Sequence, residues 1–331
     1  MRLARFHRSA LVALAIGLLA SAAAFARDTV AEGSFDRTLK VSGAIDLTVS
    51  TGSGSISVRT GSASEIHVVG KIRINSGWHT DDRDAQARVR RIESNPPIEQ
   101  NGSIVRIGEI QDEDLKRNVS ISYELVVPPD TKLRSETGSG SQELDGVHGP
   151  VEATTGSGSL HIGHIGAELH ASTGSGTITL DTIQGSVRAT TGSGSIRADG
   201  VAGGLVAQTG SGEIELAQTA PGDVDVQTGS GGIELRGVRG RVSARSGSGS
   251  IHVDGSPTGD WRLHTSSGGV TLRLPADAGF ELDANAGSGN IETSHELLVS
   301  GTLGHHELHG KAHGGGPLIS VSTSSGTIRV E

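Results

Sequence analysis

A four-residue phrase, Thr-Gly-Ser-Gly, recurs at a nearly fixed interval and leaves few folds open to this chain. It begins at Thr137, Thr155, Thr173, Thr191, Thr209 and Thr228. It returns with one residue changed at Ser246, Thr265, Ala286 and Thr323. The spacings are 18, 18, 18, 18, 19, 18, 19 and 21 residues, then 37. A constant period of this size means stacked units, none of which can bury its apolar face alone.

Within one period, Thr173 to Thr190, the apolar residues Ile178 and Leu180, Ile183, then Val187 and Ala189 alternate with period 2. That is strand spacing, and no stretch keeps a helical 3.6-residue period. The same columns recur from coil to coil. Leu160, Ile178, Ile196, Ile214, Ile233, Ile251 and Val270 form the first; Ile162, Leu180, Leu216, Leu235, Val253 and Leu272 belong to the second. Val147, Ile165, Ile183, Val201 and Val238 mark a corner; Val151, Leu169, Val187, Leu205, Val224, Val242, Trp261 and Phe280 open the return strand, with an alanine-rich column two residues later. Stacked as parallel strands roughly 4.8 Å apart, like residues lie over like. The fold expected is all-β: a single-stranded parallel β-helix, or β-solenoid, with coils of about 18 residues. Thr155, Thr173, Thr191, Thr209 and Thr228 keep the inward parity of the preceding strand, which predicts an internal hydroxyl ladder. Gly-Ser-Gly is then a corner.

Residues 1–26 read as a secretory signal: Arg2, Arg5 and Arg8, an apolar run from Ala10 to Ala20, and a small-x-small site ending at Ala26. That run is too short to span a bilayer, and no later stretch reads as a membrane helix. The chain has no cysteine, which excludes lipid attachment through a thiol and any disulfide framework. Export to the periplasm or medium is expected, with cleavage near Ala26. Loss of the three arginines takes the net charge from −9 to −12, which favours solubility and opposes nucleic-acid binding.

Residues 27–331 read as one domain, irregular over 27–136 and regular over 137–331. A first coil lies at residues 40–60, around Thr51-Gly52-Ser53-Gly54. Ile66 to Ile74 reads as strand. The charged stretch from His79 to Asn95, with Ala85, Val89 and Ile92 at helical spacing, predicts one short helix laid over an open end or edge of the stack. A hairpin over Ile98 to Ile107 and a strand over Val119 to Val127 follow. Residues 294–317 are an insertion before the last coil.

The repeated T-x-S-G-x-I-x-V/L phrase, the run Leu125, Val126, Val127 and Pro128, and the closing segment from Gly315, Gly316 and Pro317 through Val330 resemble the bacterial putative-adhesin family. The resemblance spans roughly residues 40–331. It implies a right-handed parallel β-helix in exported or membrane-linked proteins, and it supplies no catalytic residues. The purity of the Thr-Gly-Ser-Gly repeat and the His-rich insertion depart from the family pattern.

Few residues invite chemistry. The glycine-rich corners lack the following helix or Lys-Ser/Thr pair of a phosphate loop. A calcium roll would need aspartate where Ile178 and Ile196 stand. Asp145, Asp181, Asp199 and Asp254 share an outward column, in which Asp181 over Asp199 could hold a cation or act as an acid/base pair. Gly163, Ala217 and Arg236 interrupt that column, and the aspartates also suit turns. His305, His306, His309 and His313 are the densest set of potential metal ligands, but nothing nearby fixes their geometry, so a solvated, flexible loop is expected. The other outward column mixes signs and polar residues (Glu143, His161, Thr179, Arg197, Glu215, Glu234, His252), with no basic stripe for nucleic acid. Only seven aromatics are present, and Trp261 and Phe280 sit in core columns. An ice-binding array is broken by Ser172, Gln208 and Gln227. The reading is therefore a non-enzymatic, adhesin-like structural or interaction module at the cell envelope, with no cofactor, no metal site and an unidentified protein or surface as partner. The rival is a β-helix carbohydrate-active enzyme of the polysaccharide lyase or hydrolase type.

Overall fold

The alternation of one repeat becomes two short strands. Ile178–Ile183 and Val187–Thr191 bury Ile178, Leu180, Ile183, Val187, Ala189 and Thr191, while Arg188 and Thr190 face out. A computed structural model describes residues 29–75, 82–108, 110–299 and 306–331. Over these residues the chain is almost entirely β-stranded. Two sheets carry the strands, 14 in one and 15 in the other among the described residues. Residues 1–26, read from the sequence as an export signal, lie outside the described residues.

Stacking follows the period of the sequence. Val151, Leu169, Val187 and Leu205 are successive parallel partners in one sheet, and Leu160, Ile178, Ile196 and Ile214 are in the other. Each first-column residue from Leu160 to Val270 is at most 1% exposed. The two sheets face each other across this apolar filling, a repeat architecture of solenoid type.

The threonine ladder points in one direction. Oγ1 of Thr155, Thr173, Thr191 and Thr209 donates to the carbonyls of Gly140, Gly158, Gly176 and Gly194 in the preceding coil, at 2.9, 2.8, 2.9 and 2.8 Å. Thr191 Oγ1 also accepts from the amide of Gly194 in its own corner at 3.2 Å. A buried hydroxyl thus satisfies two backbone groups that the corner would leave unpaired. Some core positions depart from the apolar columns: Ser135 lies in line with Ala153, Gln218 with Val201, and Gln142, 1% exposed, with Leu160, donating to the Thr154 carbonyl at 2.6 Å.

Chain order breaks at both ends. The first coil, Ile45–Thr51 with Ile56–Thr60, stacks directly on Thr131–Thr137 and Gln142–Asp145. The residues between, together with Thr29–Lys40 before the first coil, form the N-terminal end. Val119–Val127 pairs parallel to Ile56–Thr60, then Glu65–Asn75 and Thr29–Lys40 follow antiparallel. The hairpin of Ile98–Asn101 and Ile104–Ile107 ends the other sheet. The helix, Asp82–Ser94, buries Ala85, Val89 and Ile92. It lies on the edge strand, with Glu93 Oε1 accepting from the Ser34 amide at 2.9 Å. A second helix of one turn, Glu113–Lys116, is additional to the one read from sequence. Its signal is only Asp112, which caps the Asp114 amide at 2.9 Å.

At the C-terminal end the stacking order differs from the order of the repeats. Leu318–Ser325 pairs with Trp261–Ser267 on one side and Phe280–Ser288 on the other. Ile328–Val330 likewise lies between Val270–Arg273 and Ile291–Thr293. The last coil in sequence is therefore the penultimate coil in space. The insertion supplies the outermost strands, Glu307–Ala312 antiparallel to Phe280–Ser288 and then Leu298–Val299. The flexible loop expected there is in part an edge-covering strand, because an open sheet end exposes unpaired backbone groups.

Candidate functional site

The outward face of the Leu160-to-Val270 sheet holds the aspartates that the sequence singles out. Strand register decides which aspartates meet. Asp181 lies directly beside Asp199, whereas Asp145 is separated from Asp181 by Gly163. Asp254 is remote from these three and pairs with Arg273. The expected column thus splits into one adjacent pair and two outliers.

Among the shallow grooves of this face, two hold these outward aspartates. One, of about 370 Å³, runs among Asp181, Asp199, Arg197, Glu215, Glu234 and Arg236. The other, of about 340 Å³, runs among Arg236, His252, Asp254, Thr271 and Arg273. Their floors are strand residues of neighbouring coils. Arg197 binds Glu215 at 3.3 Å and Arg236 binds Glu234 at 2.5 Å, so much of the charge in the first groove is already compensated. Such exposed pairs are worth little to stability but fix where the charges lie.

The corner beside the Asp181–Asp199 pair is strained. The backbone turns left-handed at the residue after Asp145, Asp199 and Arg236: Gly146, Gly200 and Gly237 have φ of 79°, 71° and 68°. His164 and Thr182 occupy the same corner at φ 53° and 54°. For β-branched Thr182 that conformation is unusual and costly. Its hydroxyl is held by Asp181 Oδ1 at 2.8 Å, and His164 Nδ1 lies 2.7 Å from Asp145 Oδ1. Reading the sequence in rows of 18 sets Gly146, His164, Thr182 and Gly200 one above another, which is the signal that points to this corner.

The hydrogen bond and charge of Asp145, with a smaller contribution from Asp181, raise the His164 pKa above the ordinary imidazole range. A proton-detected titration should show His164 with a midpoint above that of a free imidazole, falling back in Asp145→Asn. The sign follows: a raised folded-state pKa gives stability present at low pH and lost as pH rises through it. An unshifted His164 would mean the pair does not form in solution. The His164 side chain is exposed, so the effect belongs to the local corner.

The histidines of the insertion are not gathered. His306 Nδ1 meets the Gly289 carbonyl at 2.9 Å, His309 Nδ1 meets Asp283 at 3.1 Å, and His313 sits in a left-handed turn at φ 45°. His305 lies outside the described residues. Among the described residues no three His, Asp or Glu side chains are placed to share a metal ion. No described helix is long and apolar enough to cross a membrane. Trp261 is fully buried and its Nε1 donates to the Gly240 carbonyl at 3.0 Å, so the ring is committed to the core.

No curated protein matches the chain. Among solved structures, it is similar to a putative cell adhesion protein from Clostridium sporogenes ATCC 15579, at 12% identity, covering 91% of this chain and 99% of that one, with a TM-score of 0.20. It is also similar to a putative adhesin from Bacteroides fragilis NCTC 9343, at 11% identity over 90% and 97%, with a TM-score of 0.32. The Toastrack DUF4097 family profile matches residues 166–331, half of the chain, and the chain belongs to that family.

Proposed function

We propose that this chain is an exported, non-enzymatic, adhesin-like module of the bacterial cell envelope, built as one right-handed, single-stranded parallel β-helix. The observation that carries the reading is the uniform register of consecutive coils. It turns short polar side chains into long straight rows on a stiff surface. A stack of near-equal coils offers an extended face to another macromolecule. A catalytic site needs groups converging on a bound substrate from which water is excluded. Residues 1–26 act as a cleaved export signal, which N-terminal sequencing of the exported protein tests: the mature chain should begin at Arg27.

The rival reading, a carbohydrate-active enzyme, rests on Asp181 beside Asp199 in a shallow groove. Both carboxylates lie exposed on outward strand positions. Neither is enclosed in a pocket that would orient a glycan and exclude water around it. The deciding experiment incubates the purified chain with acidic and neutral glycans and measures reducing ends and unsaturated products. No release is expected, alongside saturable retention of the chain on isolated cell envelopes. Turnover abolished by Asp181→Asn and Asp199→Asn would overturn the proposal and make that groove an active site.

A further inference from the structure

The coil of residues 318–330 occupies a slot whose two walls both precede it in the chain. Trp261–Ser267 and Val270–Arg273 form one wall, and Phe280–Ser288 and Ile291–Thr293 form the other. Those walls are joined to each other by residues 274–279. They therefore constitute a continuous piece of chain that holds an opening one coil wide.

The occupant meets the opening almost entirely through groups of its own. Ile319, Val321, Ile328 and Val330 are at most 1% exposed, filling the core columns between the walls. Its backbone bonds run to both sides: the Gly268 amide donates to the Ser325 carbonyl at 3.0 Å, and the Gly326 amide donates to the Ser288 carbonyl at 3.1 Å. Thr323 Oγ1 donates to the Gly268 carbonyl at 2.9 Å, which continues the ladder from the lower wall. The upper wall carries Ala286 at the corresponding position, paired with Thr323. Arg329 closes the far end on Glu292 at 2.8 Å.

The tether is rich in glycine and left-handed turns. His313, Gly314 and Gly315 take φ of 45°, 86° and 91°, and Gly316 and Pro317 follow before the coil begins. Glycines of this kind tolerate many paths, so the tether need not lead back into the same molecule.

We propose that residues 318–331 are a donor coil and that the slot is a docking site for the donor coil of a second copy of this chain, so that two copies join by reciprocal exchange. The partner is specified by chemistry on both sides. Only a strand with inward residues at the spacing of Ile319, Val321 and Thr323, a glycine-containing corner like Gly326, and then Ile328 and Val330 fills the slot. Every copy carries one. This is strand addition between two edges, in which the ladder gives affinity and alternate side chains give specificity. The tether favours closure within one copy at dilution, so exchange grows with concentration.

The chain has no cysteine, which makes disulfide trapping clean. His264 and Ser322 face each other across the lower wall, with His264 Nδ1 and Ser322 Oγ 2.8 Å apart. Neighbouring strands about 4.8 Å apart are within reach of a disulfide. The double variant His264→Cys with Ser322→Cys should crosslink within one chain at dilution, and failure to do so would overturn the slot itself. The two single variants, one carrying a size tag, are then mixed at high protein concentration, incubated and oxidised. A covalent heterodimer is expected, several-fold above the yield from His264→Cys mixed with Ser172→Cys, a control on a remote coil. A second arm adds a labelled peptide of residues 315–331 to the full chain. The peptide should bind and suppress heterodimer formation, and its Ile319→Asp form should do neither. Within-chain crosslinking of the double variant without heterodimer above control, or equal binding of both peptides, would show that the coil never leaves its own molecule.

Discussion

In Ile196→Asp, cooperative melting of the central coils should fall well below that of the parent, with the loss spreading to the coils on either side. Ile196 is fully buried between Ile178 and Ile214, and the columns above and below it are apolar. An aspartate there has no basic partner in the column, and its carboxyl must either ionise in an apolar medium or take up a proton. Losing a buried aliphatic side chain costs roughly 2–5 kcal/mol, and an unpaired buried carboxyl adds several more. The total is on the order of 5 kcal/mol or above, within the range that unfolds a marginal protein. Hydrogen exchange resolves the effect by coil: protection should vanish near residues 178–216 before it does at the ends. Parent-like melting would place Ile196 outside the core.

Gly194→Ala should be nearly as damaging, although it adds a single methyl group. A Cβ at Gly194 would lie 1.9 Å from the carbonyl oxygen of Gly176 in the coil below and 2.5 Å from its carbon. The same carbonyl accepts the Thr191 hydroxyl at 2.9 Å. Neither atom can step aside, because both belong to backbone. The coils must separate locally, which breaks this hydrogen bond and the adjoining ladder. Two broken buried bonds at about 1–3 kcal/mol each put the expected cost at roughly 2–6 kcal/mol, measured by denaturant unfolding against the parent. Gly43→Ala is the contrast, since nothing lies within 4 Å of a Cβ there, although its φ of 76° still penalises alanine. Equal stability of Gly194→Ala and the parent would show that the corners do not stack as closely as described.

These two positions show how much a reader of the sequence can recover. The buried columns and the threonine ladder follow from parity and period alone, since inward alternation at 18 residues leaves one register that buries the apolar set. The need for glycine at residue 194 follows less directly. Its corner suggests a turn requiring left-handed backbone, whereas the actual reason is the approach of the carbonyl below. The C-terminal rearrangement was written in the side chains: Thr265-Ser266-Ser267-Gly268 and Thr323-Ser324-Ser325-Gly326 are the same corner and stack together, and Ala286 lacks the hydroxyl. Period counting passes over this because it assumes that neighbours in sequence are neighbours in space. The N-terminal pairing of Thr51 with Thr137 is hidden for the same reason. At the candidate site, the adjacency of Asp181 and Asp199 was legible, while the bond from His164 to Asp145 depends on a backbone corner that composition does not reveal.

The near-constant register of the middle coils also bears on how the molecule assembles. Val151 and Leu169 are partners 18 residues apart in a chain of 331, a relative separation of about 0.05, against roughly 0.16–0.22 for the contacts of most all-β domains. Each added coil closes only a short loop onto a face already formed, and its threonine finds its acceptor waiting in the coil before it. The central stack should therefore zip up rapidly, in the manner of a helical protein. The joints at Thr51 with Thr137 and at Thr265 with Thr323 span 86 and 58 residues and close far larger loops. Assembly should consequently be faster through the body than at its two ends, where the seams close the largest loops.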